Sequence, residues 1–509
     1  MTALRDLLSS ISVEQVAGDV GIDVSGIACD SRRAASGNLF ICIKGFNLDG
    51  HAFIPDALKR GVTALLVQDA NAMRAYANSV PVARVRDTRK ALADVACSYY
   101  GHPSRKLCLV GVTGTNGKTT TAHIVASVLS GPGVRSATIG TLGAAIIALT
   151  ANEALTANDD AGNYVDTQRT TPESLDLQRM LAHFADRGVS AVAMEVSSHA
   201  LMLERVRGCV FDVGVFTNFS QDHLDFHESL EEYYRAKERL FREFAVESSR
   251  AKQYRAVINL DDRMGQRYID ACPAESLTYG VESDADIRAD EIDIQPSGAS
   301  YVVRYRDGAR IPVRMKITGR FNVYNALAAL ATGEALGVDR DVCRHAVANV
   351  RYLPGRLEMI EEGQPFAVCV DYAHTSDGIE KVLSAAREIA SGRLIILFGC
   401  GGDRDAGKRP KMARSAAQLS DFVVVTSDNP RSEDPDFIIE QIVRGLPPHC
   451  DHVVEPDRRR AIELAMGMAK PGDCVVLAGK GHETYQILKD RTIHFDDREV
   501  AREALRGGN

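Results

Sequence analysis

The chain has 509 residues, 45% of them hydrophobic, and a formal net charge of −8 with a pI near 5.9. This length predicts about three domains with substantial cores. The net negative charge gives no indication of a basic surface that would bind nucleic acid. The sequence has no run of about 18 apolar residues that would span a membrane, no signal-peptide order and no CxxC pair. We therefore expect a cytoplasmic location, no nucleic-acid partner, no membrane span, and neither a zinc site nor a disulfide framework.

The first segment, up to about residue 104, alternates short strands, helices and turns. Its periodic stretches predict a helix at 4–16, a helix and a strand at 56–67, and a helix at 88–100. Asp30, Ser31 and Arg32 share one turn, and a loop from Gly45 to His51 follows. On spacing alone, an ordinary polar turn is the favoured interpretation.

A phosphate-binding loop is predicted between an apolar strand at 107–112 and an amphipathic helix. Gly114 and Gly117 allow a tight turn that points N–H groups inward, while Lys118 and the helix N-terminus supply positive potential. The strict P-loop pattern requires glycine where this chain has Val112. The residues expected to cradle a nucleotide polyphosphate and its Mg²⁺ are Gly114, Thr115, Asn116, Gly117, Lys118, Thr119 and Thr120.

Polar residues also follow two further strands of the central segment. Glu195 comes directly after the apolar residues 191–194, and a stretch rich in acids and histidines follows a predicted strand at 209–217. Because ligand residues collect at the carboxyl ends of parallel strands, we expect these side chains near the phosphate loop, where carboxylates suit Mg²⁺. For Glu195 the alternative is a solvated loop residue. The second stretch contains Asn218, Asp222, His223, Asp225 and His227.

A long amphipathic helix is predicted to begin after Ser229, which forms a capping box with Glu232. Lys237 falls on the apolar stripe of this helix. From the pattern alone, the favoured interpretation is a lysine whose ammonium group extends past the stripe to water.

The segment after about residue 351 contains four apolar strands, each ending in a polar loop, which predicts a second parallel sheet. The loop GCGGDRD is not a dinucleotide-binding GxGxxG, because Arg404 stands where the third glycine is required. Arg404, Arg431, Asp428 and Glu483 supply two guanidinium and two carboxylate groups, which suit a ligand carrying both ammonium and carboxylate groups. A surface charge network is the alternative.

These motifs resemble those of the Mur ligase family. The matching segments are TGTNGKTT, DSR with GNLFICIKG, RTTP, TNFSQDHLDFH, PGRLE with DYAHTSDG, DNPR and GKGHE. The resemblance covers nearly the whole chain. It implies an α/β fold with a small UDP-binding domain at 1–104, a P-loop-like ATP-binding domain around a central parallel sheet at 105–350, and a Rossmann-like amino-acid-binding domain at 351–509.

The resemblance also implies residue roles. Catalysis is assigned to Lys118, Glu195, His223 and Lys237, and metal binding to Thr119, Glu195, His223 and Lys237, the last as a carbamate. Besides the phosphate loop, ATP contacts are assigned to Asn218, Asn322, Arg356 and Asp371. Contacts with a UDP-muramyl peptide are assigned to Ser31, Gly45, Phe46, Asn47, Thr170, Thr171, Ser198 and Arg205. Amino-acid contacts are assigned to Arg404, Asp428, Asn429, Arg431, Gly479 and Glu483.

Some of these assignments have equally good structural alternatives. Asp222, Asp225 and His227 match the family motif but suit a purely structural role, and Asn322 suits plain helix capping. Leu203 stands where family members often carry glutamine.

The implied reaction uses ATP and two Mg²⁺ ions to join meso-diaminopimelate to the D-Glu γ-carboxylate of UDP-N-acetylmuramoyl-L-Ala-D-Glu through an acyl phosphate. DNPR indicates diaminopimelate, because L-lysine has no distal carboxylate and would leave Arg431 unpaired. The alternatives are a lysine-adding ligase, a ligase like folylpolyglutamate synthase, and an inactive family member that acts as a binding protein. We expect a monomer.

Overall fold

The computed structural model describes residues 2–45, 48–131, 134–147, 164–165, 169–223, 226–295, 297–351 and 353–507. Phe46, Asn47 and Asp225, all selected from the sequence, lie outside the described residues. The chain forms two compact units, one of Met1–Thr278 with Ala328–Asp339 and the other of Tyr279–Leu327 with Arg340–Asn509. Throughout the described ranges, no helix is both long and apolar enough to cross a membrane.

The first unit begins with a five-stranded sheet in the order β2-β7-β6-β5-β4. Its strands are parallel except β2, which runs antiparallel to β7. The elements are β1 Thr2–Ala3, α1 Leu4–Leu8, β2 Gln15–Ala17, β3 Asp23–Val24, β4 Gly26–Ala28, β5 Asn38–Ile41, α2 Ile54–Lys59, β6 Ala64–Val67, α3 Ala70–Tyr76, β7 Val82–Arg84 and α4 Thr88–Tyr99.

The helix predicted at 4–16 is wrong in its length, because α1 ends at Leu8. The hydroxyls of Ser9 and Ser10 donate to the carbonyls of Asp6 (2.7 Å) and Leu7 (2.6 Å), an alternative to continuing the helix. The following residues then supply an edge strand instead.

The larger sheet of the first unit has the order β11-β10-β9-β12-β8-β13-β14-β15. The five strands β9, β12, β8, β13 and β14 are mutually parallel. The elements are β8 Cys108–Thr113, α5 Lys118–Leu129, β9 Arg135–Gly140, β10 Gly143–Ile147, β11 Tyr164–Val165, α6 Ser174–Asp186, β12 Val189–Glu195, α7 Ser198–Met202, β13 Val213–Phe216, α8 Leu230–Ser249, β14 Arg255–Asn259, α9 Gly265–Ala271 and β15 Ser276–Gly280.

Strand β8 lies between β12 and β13, and it is buried on both faces. Leu109, Val110 and Val112 are fully buried, which explains the continuous apolar run in the sequence. The loops that follow these three neighbouring strands therefore meet at one edge of the sheet. That edge carries the phosphate loop, Glu195 and Asn218.

The second unit contains three antiparallel strands, two connecting helices and a six-stranded sheet in the order β19-β20-β24-β21-β22-β23. All strands of the six-stranded sheet are parallel except the edge strand β19. Apolar side chains cover both of its faces.

The elements of the second unit are β16 Ile287–Gln295, β17 Gly298–Tyr305, β18 Arg310–Met315, α10 Arg320–Ala335 (whose last eight residues belong to the first unit), α11 Arg340–Asn349, β19 Glu358–Met359, β20 Ala367–Asp371, α12 Ser376–Ile389, β21 Leu394–Phe398, α13 Arg409–Leu419, β22 Phe422–Val425, α14 Pro435–Val443, β23 His452–Val454, α15 Arg458–Met468, β24 Cys474–Ala478, β25 Tyr485–Ile487, β26 Thr492–His494 and α16 Asp497–Gly507.

The α/β fold class is confirmed, and so are the four apolar strands of the C-terminal segment, which are β20, β21, β22 and β24. Strand β23 and the antiparallel strands β16–β18 were not predicted.

Candidate active site

The phosphate loop has the predicted strand–turn–helix geometry. Gly114 (φ 147°) and Gly117 (φ 80°) adopt backbone conformations that favour glycine, and α5 begins immediately afterwards at Lys118. A side chain at Gly114 would collide with the Thr217 hydroxyl. The Lys118 ammonium group donates to the carbonyls of Gly114 (3.0 Å) and Thr115 (2.8 Å). Lys118 is therefore held over the loop.

The residues after β13 hold this loop in place. Asn218 Oδ1 accepts from the Asn116 N–H (3.0 Å), and Asn218 Nδ2 donates to the Asn116 carbonyl (3.1 Å). The Thr115 N–H donates to the Asn218 carbonyl (2.8 Å), and Thr217 Oγ1 donates to the Asn116 carbonyl (2.7 Å). Asn218, selected as an ATP contact, thus has a clear loop-positioning role in this structure. Thr217 shares that role and was missed.

Lys237 is buried, with 1% of its surface exposed, so the interpretation that its ammonium group extends to water is wrong. Its Nζ donates to the Gly114 carbonyl (2.8 Å) and lies 4.4 Å from the centroid of the Tyr233 ring. Burial and the charge of Lys118 hold the pKa of the Lys237 amine well below its ordinary value, while Asp222 acts in the opposite direction. Two amine groups therefore converge on one loop carbonyl.

Glu195 ends β12 and is buried, which excludes the solvated-loop alternative. Its Oε1 accepts from the Thr141 N–H (2.7 Å), and the Thr141 hydroxyl donates to Oε2 (3.3 Å). Gly140 must lack a side chain, because a Cβ there would overlap the Glu195 carboxylate. Gly140 and Thr141, both missed from the sequence, fix the direction of this carboxylate.

His223 belongs to a cluster of rings beside these residues. Its backbone is left-handed (φ 54°), and its ring centroid lies 4.8 Å from that of His199. Its Nε2 is 3.5 Å from Asp222 Oδ2. His227 is buried, with Nε2 3.0 Å from the Ser198 hydroxyl. The contacts of Asp222 and His227 fit the structural roles left open for them.

The described residues contain no group of three or more His, Cys, Asp or Glu side chains placed to hold a metal ion. The predicted set uses only two such residues, Glu195 and His223, and completes its donors with the Thr119 hydroxyl and a carbamate on Lys237. Thr119 is buried at the start of α5. This oxygen-rich set suits Mg²⁺. A buried amine of lowered pKa also suits carbamate formation, since the neutral amine is the form that reacts with carbon dioxide.

A second cluster in the first unit surrounds the TTP turn. Arg205 donates from Nη1 to the Thr171 carbonyl (3.1 Å) and pairs through Nη2 with Glu173 (3.0 Å). Glu173 also pairs with Arg89 and Arg169. Three guanidinium groups around one carboxylate leave an excess of positive charge, and burial together with Arg169 and Arg89 lowers the pKa of Arg205. This cluster suits an anionic substrate.

The remaining residues assigned to the muramyl peptide make local contacts. The hydroxyl oxygens of Thr141 and Thr170 lie 3.2 Å apart, and the Thr171 hydroxyl donates to the Glu195 carbonyl (2.9 Å). In the first sheet, Ser31 begins a short turn that Asp30 caps by accepting from the Arg32 N–H (2.9 Å). The Gly45 N–H donates to the Leu48 carbonyl. Leu203 lies at the end of α7 and is partly buried.

The second unit contains the other residues assigned to ATP. Asn322 Nδ2 donates to the Thr318 carbonyl (2.8 Å), and its Oδ1 accepts from Asn325 (3.0 Å), which fits the capping alternative. Asp371 accepts from two backbone N–H groups, those of Leu357 (2.7 Å) and Ala373 (2.8 Å). Burial raises the pKa of Asp371, and the Arg356 charge opposes this.

The loops after β21, β22 and β24 come together as predicted. Asn429 Nδ2 donates to Glu483 Oε2 (2.9 Å), and the Asn429 N–H donates to Asp428 Oδ1 (2.6 Å). Arg431 has a left-handed backbone (φ 54°) and donates to the Gly402 carbonyl (2.8 Å). Asp428 Oδ2 lies 2.8 Å from where a Cβ on Gly479 would stand, so glycine leaves that carboxylate room.

Arg404 differs from its neighbours in this region. It is exposed, and within the described part of the chain its guanidinium group donates only to the carbonyl of Asp403 (3.1 Å). The structure therefore groups Asp428, Asn429, Arg431, Gly479 and Glu483 at one edge of the sheet, and leaves the Arg404 guanidinium at the rim.

Comparison with known proteins identifies the family. Sequence models match for the Mur ligase family catalytic domain at 23–100, the Mur ligase middle domain at 112–333 and the Mur ligase glutamate ligase domain at 355–481. A relative from Syntrophomonas wolfei, named UDP-N-acetylmuramoyl-L-alanyl-D-glutamate–2,6-diaminopimelate ligase, is 43% identical over 99% of both chains. The chain belongs to the Mur ligase family.

Two further comparisons agree with this membership. A relative of the same name from Solibacter usitatus is 44% identical over 99% of this chain and 98% of its own. A solved structure described as UDP-N-acetylmuramoyl-L-alanyl-D-glutamate–2,6-diaminopimelate ligase has a TM-score of 0.68 and 30% identity, and the match covers 100% of this chain and 99% of that one.

Three buried basic residues of this Mur ligase support the loops after β21, β22 and β24, which are named the amino-acid loops after the ligand assigned to them from the sequence. All three were missed from the sequence. Lys480 contacts Asn429 and Glu483. Arg409 pairs with Glu433 and donates to the Gly401 carbonyl (3.3 Å). Arg458 pairs with Asp497 and donates to the carbonyls of Ser427 (3.3 Å) and Ala478 (3.0 Å). The lysine of GKGHE was visible as a basic residue inside a motif, whereas the two arginines carry no local signal.

Proposed function

We propose that this Mur ligase uses ATP to join meso-diaminopimelate to the D-Glu γ-carboxylate of UDP-N-acetylmuramoyl-L-Ala-D-Glu, a step of peptidoglycan precursor synthesis. The DNPR loop is the observation that carries the choice of amino acid. Arg431 has a left-handed backbone there and donates to the Gly402 carbonyl, and Asn429 of the same loop donates to Glu483. A guanidinium group in this position suits a carboxylate on the substrate side chain.

The phosphate loop and its surroundings account for the use of ATP. Lys118 and the N–H groups at the start of α5 attract the phosphates, and Lys118 offsets charge that develops as the γ-phosphate is transferred. Thr119, Glu195, His223 and a carbamate on Lys237 would hold Mg²⁺, which supplies charge neutralisation on the phosphates.

The reaction proceeds in two steps. The D-Glu γ-carboxylate attacks the γ-phosphate, forming an acyl phosphate and releasing ADP. The neutral amine of meso-diaminopimelate then attacks the acyl carbon, and phosphate leaves from the tetrahedral intermediate. Arg205, with Arg89 and Arg169 beside it, orients the anionic muramyl peptide, and the loops after β22 and β24 orient the amino acid.

The proposal gives each sheet a role. Residues 1–104 bind the UDP part of the substrate, residues 105–350 bind ATP, and residues 351–509 bind the amino acid. The enzyme works as a monomer in the cytoplasm. Lys237 carries a carbamate in the complex with ATP and Mg²⁺, and a plain amine at that position in an experimental structure of this complex would refute the modification.

The deciding experiment measures ADP release with UDP-N-acetylmuramoyl-L-Ala-D-Glu and either meso-diaminopimelate or L-lysine. We expect a preference for meso-diaminopimelate of roughly 10⁴-fold, because lysine leaves the partly buried Arg431 guanidinium group without a carboxylate partner. Arg431→Ala should lose most of this preference, whereas Arg414→Ala, which changes an exposed arginine on α13, should keep it. Turnover with lysine alone would overturn the choice of amino acid. No ADP release with either would favour an inactive binding protein or a folate-type ligase.

A further inference from the structure

Lys480 is completely buried beneath the amino-acid loops, yet it lies outside the set of residues assigned to substrate. Its side chain is 0% exposed. Its Nζ donates to Glu483 Oε2 (3.2 Å) and to Asn429 Oδ1 (3.3 Å), and lies 5.7 Å from the centroid of the Tyr485 ring. A buried ammonium group is tolerated only when its surroundings compensate its charge. The Glu483 carboxylate provides that compensation.

The same contacts fix the orientation of the Asn429 amide. Asn429 Oδ1 accepts from both Lys480 Nζ (3.3 Å) and the Ile487 N–H (2.9 Å), so its oxygen must face these two donors. Its Nδ2 group is consequently directed at Glu483, where it donates to Oε2 (2.9 Å). Two independent donors, one charged and one neutral, therefore hold the same carboxylate oxygen.

This arrangement determines which Glu483 oxygen is available to a ligand. Oε2 is occupied by Lys480 and Asn429, whereas Oε1 has no hydrogen-bond donor among the contacts of the described residues. The Glu483 side chain remains 14% exposed although Lys480 is fully buried. The carboxylate is thus anchored through Oε2, which leaves Oε1 to accept from a ligand.

We propose that Lys480 is a positioning residue for the amino-acid substrate. It fixes Glu483 Oε2 so that Oε1 accepts a hydrogen bond from the ammonium group of the incoming amino acid, and it orients Asn429 in the same loop. This inference rests on the proposed function, because it assumes an amino-acid substrate at these loops. Lys480 itself does not contact the substrate.

The test compares Lys480→Met with wild type and with Lys489→Met, an exposed lysine on the turn between β25 and β26. We expect Lys480→Met to raise KM for meso-diaminopimelate by about tenfold or more, because a carboxylate loses its charged hydrogen bond. The KM for the muramyl peptide should stay within about twofold, since the residues assigned to that substrate all lie in the first unit. Lys489→Met should match wild type.

A second comparison tests whether Lys480 acts through Glu483. In a Glu483→Gln background, adding Lys480→Met should change KM for meso-diaminopimelate much less than it does in wild type. The proposal would be overturned if Lys480→Met raised KM for meso-diaminopimelate by the same factor in both backgrounds. An unchanged KM in folded Lys480→Met would also overturn it. If Lys480→Met does not fold, Lys480→Leu decides by the same two criteria, because leucine also removes the donor from Glu483 Oε2. If wild type itself fails to turn over meso-diaminopimelate, the proposed function fails instead.

Discussion

At the scale of single residues, Lys237 places an amine where water is excluded and where Lys118 already donates to the same carbonyl. Its pKa is lowered well below the ordinary value because burial penalises the charged form. In the unfolded chain the same amine is charged and hydrated at neutral pH. Burial of this amine therefore reduces the stability of the folded protein. We expect Lys237 to be required for catalysis in spite of that loss of stability.

The substitution Lys237→Met tests whether this lysine lowers stability while it supports activity. Without nucleotide or carbon dioxide, it should raise the free energy of unfolding by about 1 kcal/mol or more, because an apolar chain of similar length replaces a buried amine. Turnover measured by ADP release should nevertheless fall by at least about 100-fold. The exposed Lys106→Met serves as the control and should change neither quantity. A Lys237→Met protein that is both less stable and still active would contradict this interpretation.

Gly140 provides a prediction that rests only on the steric overlap between an added side chain and Glu195. A methyl group at Gly140→Ala would overlap the Glu195 carboxylate and turn it away from its bonds with Thr141. Displacement of a reacting or metal-binding group by about 1 Å costs about 100-fold in rate, so we expect turnover to fall by about 10–100-fold. Gly131→Ala is the matched control, because a Cβ there meets no atom within 4 Å. Unchanged turnover in Gly140→Ala would show that the reaction does not depend on the position of the Glu195 carboxylate.

The residues that could be predicted from the sequence lie in short local motifs. The phosphate loop is an example, since its glycines, its lysine and the following helix are contiguous. The supporting residues could not be predicted, because their partners are distant in the chain. Thr141 and Glu195 are 54 positions apart, and Lys480 and Asn429 are 51 apart. Only the fold brings such pairs together.

At the scale of secondary-structure elements, a buried ion pair connects α15 and α16 to the amino-acid loops. Arg458 and Asp497 are both fully buried, and Arg458 also donates to the Ser427 carbonyl in the loop after β22 and to the Ala478 carbonyl at the end of β24. Asp497→Ala should lower the free energy of unfolding by about 3–5 kcal/mol, because it leaves an uncompensated buried guanidinium group.

A matched control for this prediction lies on the same two helices. Arg459 and Glu503 form an exposed pair between α15 and α16, with side chains 49% and 60% exposed. Glu503→Ala should change the free energy of unfolding by less than about 1 kcal/mol. Denaturant titration measures both variants. Equal effects would show that burial of the Arg458–Asp497 pair is not what matters.

Helices and strands could be predicted from the sequence where a single hydrophobic pattern ran through the whole element. The four apolar runs of the C-terminal sheet are strands because parallel strands covered on both faces must be apolar throughout. The strands β16–β18 were missed although buried Ile287 and Ala289 alternate with more exposed residues, a period that favours a strand. The helix predicted at 4–16 failed because local serine contacts outweighed an apolar periodicity.

At the scale of the whole molecule, His482 links stability to pH. Burial and the charges of Arg356 and Arg498 lower its pKa to about 4 from 6.5. Between these values the unfolded chain binds the proton and the folded chain does not, so stability falls as the pH decreases from 6.5 towards 4. The loss from this one group is about 2 kcal/mol at pH 5.

Thermal melting at pH 7.5 and pH 5 measures this effect. His482→Gln should show a smaller decrease in melting temperature between the two pH values than wild type, since glutamine does not titrate. His449→Gln, which changes an exposed histidine, should behave as wild type. An identical decrease in all three proteins would assign the acid sensitivity to other groups.

The order of domains along the chain was accessible from the sequence because each sheet has its own run of motifs. The division into two compact units was not, since the second unit takes in both Tyr279–Leu327 and the C-terminal sheet. That grouping depends on packing between segments far apart in the chain.

The buried arginines beneath the amino-acid loops have a consequence for the thermodynamics of binding. Arg409 on α13 and Arg458 on α15 bind the carbonyls of Gly401, Ser427 and Ala478, and so connect these loops to the helices before any substrate arrives. Little conformational entropy is then lost when the amino acid binds, and few apolar groups change their hydration. Calorimetry should therefore show an association driven by enthalpy, with a heat-capacity change much smaller than that of a site that folds around its ligand.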